Sequence, residues 1–444
     1  MHLSPIPPTR LDSPGHSSQT GLSSQTDNQT SQRSLSWLNL LVAQMQTAFG
    51  GFLAVYLTAH AWNRTDLGLA LSIGTATVML CQIPAGALVD LIPSKRLAAG
   101  LAIAAIALCT LVIGIRPSLW SVLSAEALHG AASCVLTPAI AAITLTLARP
   151  DRLGERLGRN VQYAAIGSGI AAAAMGMVGY YLSHRFIFFL GAACGLAALI
   201  ALRAIRTNAA PPPPQVRTRT IDRPSPPPGK AMPGRPLLIF ATCMGLFQLG
   251  NAAILPIAAN AVALAHGRSA DLVIAAAIFL PQILAATFSP RFGRLTETWG
   301  RRPILLLGLI ALPVRAILCA ANSSPTAVIA FQALDGLSAA ILGLMVPLVV
   351  ADLTRATGRF NLAMGIVGLA IGIGATLSTL LAGWIADIYG DQMAFVALAA
   401  MGAAAVILAA AKFRETGTQV FFFEKNQQKT LSDWSPAKPM LVRT

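Results

Sequence analysis

From Leu35 to Lys412 the sequence alternates long apolar runs with short polar loops, and no other feature constrains the fold as much. A helix that crosses a bilayer needs about 20 mostly apolar residues. Twelve runs qualify: 36–59, 67–89, 97–115, 119–147, 160–182, 186–203, 237–262, 272–290, 303–321, 325–350, 362–386 and 392–411. Six precede the segment 204–236 and six follow it. That segment holds Pro211 to Pro214, Pro226 to Pro228 and, with Arg203 counted, seven cations. Such a composition suits an extended, hydrated linker and not a helix in lipid. The expected fold is an all-α membrane protein of twelve transmembrane helices in two six-helix bundles. Its expected divisions are a disordered tail over 1–34, a first bundle over 35–205, a linker over 206–236, a second bundle over 237–412 and a tail over 413–444.

Charge supports this reading and orients it. Only 11% of residues are charged, against about 25% in a soluble globule. The net charge of +15 does not imply nucleic acid, because the cations are spread over short loops and both tails. With the N-terminus inside, 27 of the 32 Lys and Arg residues are cytoplasmic, Arg64, Arg116, Arg185 and Arg268 lie outside, and Arg315 falls within a run. The positive-inside rule then places both termini and the linker in the cytoplasm, the expected location being a bacterial inner membrane. The six cysteines all lie in apolar runs and form no CxxC, so they read as small buried hydrophobes. No nucleophile–base set, metal cluster or P-loop is visible, so neither catalysis, a cofactor nor a metal site is expected.

One charged phrase is written twice. GALVDLIPSKR begins at Gly86 and GRLTETWGRR at Gly293, 207 positions later. Each has Gly-x-Leu-x-acid and then two cations. EALHGAAS at Glu126 is matched by QALDGLSA at Gln332, offset by 206, and GRN at Gly158 is echoed by GRFN at Gly358. Signals recurring at one offset imply two halves related by a pseudo-two-fold axis along the membrane normal, with a cavity between them at the midplane.

Over about 35–412 this organisation resembles the major facilitator superfamily of secondary transporters. The family's best-known phrase, Gly-x-Leu-Ala-Asp-x-x-Gly-Arg-Lys-like, joins helices 2 and 3 and often recurs between helices 8 and 9. Gly86, Leu88, Asp90, Lys95 and Arg96 match the first copy, with Pro93 where the family has Gly. Gly293, Leu295, Gly300, Arg301 and Arg302 match the second, with Glu297 for Asp. Glycine lets a helix approach its neighbour closely, and the acid can meet a neighbouring helix dipole or a cation. The resemblance implies that these residues latch the two halves. The alternative for the cations alone is plain positive-inside anchoring.

Charges inside spans are costly and face a cavity or a partner. Glu126, Arg315 and Asp335 are three such residues. Glu126 and His129 stand at i and i+3 on one helix face, so they could hold or pass one proton, or serve as interhelical glue. The family's drug antiporters carry an Arg where Glu126 stands, so their relay is not carried over. Arg315 and Asp335 lie at depths differing by about 6 Å on consecutive helices. An ion pair is expected, with substrate contact or an outward-reaching Arg315 as the alternatives. These four residues are the candidates for proton coupling. In the family, helices 1, 4, 7 and 10 line the cavity. Gln44, Gln46, Gln248 and Asn251, with Gln282 of helix 8, are the candidate cavity amides, and Asn260 is a further amide of helix 7. Their fewness suits a mostly apolar substrate.

The function expected is proton-coupled efflux of a small organic compound by alternating access, by a monomer in the bilayer. The alternatives are proton-coupled uptake of a metabolite or sugar, and a receptor or scaffold that does not transport. Both charge phrases and the intramembrane carboxyls speak against the last.

Overall fold

A computed structural model of the chain describes residues 16–49, 51–60, 62, 64–205, 234–258, 270–322 and 324–416. Most of the expected linker, the residues of the final tail beyond 416, and Asn260 lie outside the described residues. The first half contains α1 (His16–Thr47), α2 (Gly51–Ala59), α3 (Arg64–Leu91), α4 (Lys95–Ile115), α5 (Leu119–Leu147), α6 (Leu153–Tyr181) and α7 (His184–Arg203). The second contains α8 (Arg235–Asn251), α9 (Ala270–Thr298), α10 (Arg301–Ala321), α11 (Pro325–Thr354), α12 (Phe360–Tyr389) and α13 (Asp391–Lys412). Among the described residues there is no strand, and ten helices are long and apolar enough to cross a membrane.

The first and seventh expected spans are not single helices. The first breaks at Ala48 and Phe49, ahead of the Gly50–Gly51 pair, and resumes as α2. The seventh breaks at Ala252 and Ala253 and is helical again over 254–258. Pro256 explains the second break: it has no N–H for the carbonyl of Ala252, and its ring crowds that carbonyl. Ser378 Oγ accepts the freed N–H of Ala253 at 3.1 Å.

Two expected boundaries also move. Helix α1 is drawn from His16, ahead of the first expected span. Gln32 Nε2 donates to the carbonyl of Leu147 at 2.8 Å, and Ser31 and Leu35 are buried. At the other end the chain does not leave the fold at 413. Phe413 is buried against Phe240, with ring centroids 5.8 Å apart.

Within the first half α1 packs on α6 and α7, α5 on α3 and α4, and α4 on α7. The second repeats the plan, with α8 on α12 and α13, α11 on α9 and α10, and α10 on α13. Each half has its own apolar core. The halves meet chiefly along two seams, α3 with α12 and α6 with α9.

Glycine makes both seams. A Cβ on Gly86 would land on the carbonyl of Asn361, and one on Gly293 would land on the carbonyl of Gly154. Backbones approach this closely only without side chains between them. Gly293→Ala is therefore expected to lower unfolding stability in detergent by about 1–3 kcal/mol. Gly176→Ala, in the open space beside α6, is the control and is expected to lose nothing. Equal melting of the two variants would contradict the seam packing.

Candidate functional site

The repeated phrase places its two acids at equivalent points. Asp90, at the end of α3, accepts from the backbone N–H of Asn361 at 3.1 Å and of Leu362 at 2.8 Å, and from Asn361 Nδ2 at 2.6 Å. These are free donors of the first turn of α12. A carboxylate there fills open N–H groups and faces the positive end of the helix dipole. Glu297, at the end of α9, does the same for α6 by accepting from the backbone N–H of Glu155 at 3.1 Å. Each acid therefore crosses the seam and caps a helix of the opposite half.

The cations of the phrase do not cross. Lys95 Nζ donates to the carbonyls of Val89, Asp90 and Ile92 at 2.5, 3.2 and 2.9 Å, closing the end of α3 in its own half. Arg96 donates to Leu202 and Arg203 at the end of α7, and Arg302 to Ala410 near the end of α13. Arg301 pairs with Asp352 at 3.2 Å and donates to the carbonyl of Thr296 at 2.7 Å. Of the nine residues grouped as a latch, Gly86, Asp90, Gly293 and Glu297 touch the other half. Lys95, Arg96, Gly300, Arg301 and Arg302 instead fix the turn within each half. Gly300 has φ +91°, where only glycine is unstrained. The first copy, with Pro93, uses one residue more, and Ser94 Oγ caps α4 by accepting from Leu97 N at 3.2 Å.

Sequence reading missed Glu415, whose carboxylate accepts from the backbone N–H groups of Arg301 at 2.7 Å and Arg302 at 3.0 Å. It also missed Asp352 as the partner of Arg301. An acid near an exposed helix start is a usable signal, but nothing in the spacing links position 415 to position 301.

A cavity of about 660 Å³ lies between the halves. Residues of α1, α5 and α6 form one wall and residues of α8, α11 and α12 the other. The lining is largely apolar. Its polar groups are Asn39, Gln46, Thr137, Asn160, Gln248, Asn251, Ser338 and Asp335, the last being the one ionisable side chain among the described lining residues. Of the expected cavity amides, Gln46, Gln248 and Asn251 are in place. Gln44 is not: it meets Cys194 of α7 inside the first half. Gln282 of α9 is also outside the lining. Asn39 and Asn160 were missed because an amide near a span end looks like an interfacial residue.

Behind Asp335 stands a buried cluster. Arg315, only 2% exposed, forms an ion pair with Asp335, whose side chain is 30% exposed. Arg315 also donates to Gln332 Oε1 at 3.1 Å and to Asn251 Oδ1 at 2.7 Å. Asn251 is the last residue of α8 before its break, so the cavity carboxylate is tied through Arg315 to that break.

Glu126 and His129 share a helix face but diverge. Glu126 is buried against Gly74 of α3, and its Oε1 has no hydrogen-bond partner. His129 turns to α1, stacking on Phe49 with centroids 3.6 Å apart, its Nε2 2.8 Å from Gln46 Oε1. An amide oxygen only accepts, so Nε2 carries the proton. Among the described residues no hydrogen bond joins Glu126 to His129, and neither lines the cavity.

Comparison with known proteins agrees with this architecture. The family model described as Major Facilitator Superfamily matches residues 35–262 and 240–441. An uncharacterised MFS-type transporter of Mycobacterium tuberculosis is 32% identical over 395 residues, covering 86% of this chain and 93% of that one. The multidrug transporter protein MdtP of Bacillus subtilis is 28% identical over 128 residues, 29% of this chain and 24% of its own. Among solved structures, the human organic anion transporter MFSD10 superposes with TM-score 0.67 at 16% identity, over 86% of this chain and 99% of its own. The Escherichia coli fucose:proton symporter FucP gives TM-score 0.67 at 14% identity, over 85% and 97%. At such identities these two show the fold alone.

The cap geometry makes a local prediction. Asp90→Asn leaves one neutral oxygen where a carboxylate served three donors, a loss of about 1–2 kcal/mol at that seam. Hydrogen exchange at the amides of Asn361 and Leu362 should quicken, while Lys95→Met should leave both unchanged. Unaltered exchange in Asp90→Asn would remove the cap from the account.

Proposed function

The chain belongs to the major facilitator superfamily of transporters, and from that premise we propose that it exports a small, largely apolar organic compound in exchange for protons by alternating access. The observation that carries this reading is the cavity between the halves, apolar over most of its wall, with Asp335 the one carboxylate among its described lining residues. An apolar compound is recognised there by burial and by a few amides, Gln46, Gln248 and Asn251 among them. Relatives over part of the chain, one named a multidrug transporter and one a multidrug resistance protein B homolog, favour export.

Asp335 is the coupling carboxyl in this reading. It faces the cavity and has Arg315 as an exchangeable partner. In this reading a conformational change or bound substrate exchanges Arg315 for a proton as the partner of Asp335. Glu126, sealed against α3, is the weaker candidate, and His129 acts by holding Gln46 and Phe49 beside the break between α1 and α2. Opening and closing pass through the capped seams, with Asp90 and Glu297 as the parts that release. The protein works as a monomer in a bacterial inner membrane.

Transport tests the reading directly. Asp335→Asn alone strands a buried Arg315, which costs about 3–5 kcal/mol, so the folded test variant is Asp335→Asn with Arg315→Gln. In proteoliposomes with an imposed pH gradient and a compound panel, it should keep substrate counterflow while gradient-driven accumulation falls to the level of empty vesicles. Glu126→Gln should keep both. Accumulation that survives in the double variant excludes Asp335 as the proton carrier, and accumulation in the opposite direction makes the protein an uptake symporter.

Orientation is tested separately. The distribution of cations supports a cytoplasmic position for the latch end, the linker and both termini. Reporter fusions after Pro211 and after His266 should read opposite sides of the membrane. Readings on one side would overturn the layout.

A further inference from the structure

Among the described residues a buried cation without a hydrogen-bond partner stands one turn from Asn160, a residue of the cavity wall, and is not itself part of that wall. Arg156, in the first turn of α6, is 7% exposed, and its Nε and Nη2 donate to nothing. The acids around it are already engaged. Asp151 pairs with Arg149 at 3.2 Å, Glu155 pairs with Arg159 at 2.9 Å, and Glu297 accepts from the backbone of Glu155. One turn along the same face, Asn160 is 8% exposed. It donates through Nδ2 to Thr144 Oγ1 at 2.8 Å and leaves Oδ1 unbonded. Asn160 and the neighbouring Leu157 line the cavity.

Two orphan donors on a cation and an orphan acceptor, one turn apart, are unusual in a folded interior, where buried polar groups are almost always paired. Leaving them unpaired costs stability. Among the described residues no hydrogen bond from Nε or Nη2 of Arg156 to a neighbouring element offsets that cost. The surroundings carry an excess of two cations: Arg149, Arg152, Arg156 and Arg159 fall within eleven residues, and Arg149 and Arg159 are paired with Asp151 and Glu155.

We propose that Arg156 and Asn160 form a binding site for a compact oxyanion that carries a hydroxyl of its own. The guanidinium donates to the oxyanion, and the hydroxyl donates to Asn160 Oδ1. Hydrogen phosphate and a small hydroxycarboxylate have both parts, whereas acetate has only the first. The group is supplied either as a soluble anion through the cavity or as a lipid headgroup. This site is separate from Asp335 and does not depend on the direction of transport or on proton coupling.

The test is thermal unfolding of the full chain in nanodiscs, at constant ionic strength made up with chloride. In phosphatidylcholine discs, inorganic phosphate and glycolate should raise the melting temperature of the wild type by several degrees, and acetate by less. Arg156→Met should melt no lower than the wild type without added anion, because an uncompensated buried charge is gone, and should show no rise with any anion. Arg156→Lys, which keeps a cation, should retain a weakened response. Asn160→Ala should respond equally to glycolate and acetate. If discs containing phosphatidylglycerol raise the melting temperature of the wild type but not of Arg156→Met, and abolish the response to phosphate, the occupant is a lipid headgroup. Anion responses that are absent in both kinds of disc, or that persist in Arg156→Met, overturn the proposal. So does Arg156→Met melting well below the wild type, which would make the residue structural.

Discussion

The union of the two halves depends on a carboxylate closing the first turn of a helix that belongs to the other half. A helix start presents backbone N–H groups with no intrahelical acceptor and a partial positive charge. Asp90 meets that need for α12, and Glu297 for α6. Each acid sits four residues after a glycine, Gly86 or Gly293, so both lie on the same face of their helix. The glycine brings the backbones together and the acid one turn later reaches the opposite helix start. The charged phrase is written twice because a two-fold arrangement has two such seams. Each cap is worth about 0.5–2 kcal/mol. One cap in each seam holds it without locking it, since a ligand that favours one state by a few kcal/mol can reverse the balance.

The same economy governs the second half's interior. Asp335 is the charged group exposed to the cavity, yet its cation lies behind it and is shared with Gln332 and Asn251. Moving Arg315 therefore disturbs Asn251, where α8 ends, and with it the break that Pro256 imposes. In the first half His129 occupies the corresponding place by holding Gln46 and Phe49 beside the break of the first span. Both breaks thus lie next to groups that line or adjoin the cavity.

Much of this was legible beforehand, and the rest was not for physical reasons. Spans, halves and the repeated phrase could be read because lipid demands length and apolarity, which composition records directly. The first break had a signal in Gly50–Gly51 and the second in Pro256, but a span is scored by its mean hydropathy, which neither residue changes. The helical start at His16 was hidden because its residues are polar. Only contacts such as Gln32 with the carbonyl of Leu147 show why that stretch is held. The cavity amides were half legible: type and depth could be judged, but the facing direction that sends Gln44 to Cys194 and Gln46 to the cavity is set by rotation of α1. Glu415 and Arg156 show the same limit. A carboxylate or guanidinium can be seen in a sequence, whereas having a partner or lacking one is a property of packing.

The two copies of the phrase are alike in plan and unequal in strength. Across its seam Asp90 accepts from two backbone N–H groups and from Asn361 Nδ2, whereas Glu297 meets the backbone N–H groups of Glu155 and Gly154 with no side-chain amide beside them. The difference continues when the seams part. Lys95 already reaches the carbonyl oxygen of Asp90 at 3.2 Å, so a released Asp90 has an amine beside it that meets only backbone carbonyls. Glu297 has Arg301 near, but that guanidinium is taken by Asp352 and by the carbonyl of Thr296. Asp352 and Glu415 have no acidic counterparts in the first half, where the 206-residue offset falls on Thr146 and Ala209. The second copy is thus fastened into its own half, and the guanidinium nearest its acid is already engaged there. The first copy has a good partner for its acid in both. A group with two well-matched partners, one across the seam and one at home, is what a two-state contact requires, and Asp90 at the α3–α12 seam is placed to have both.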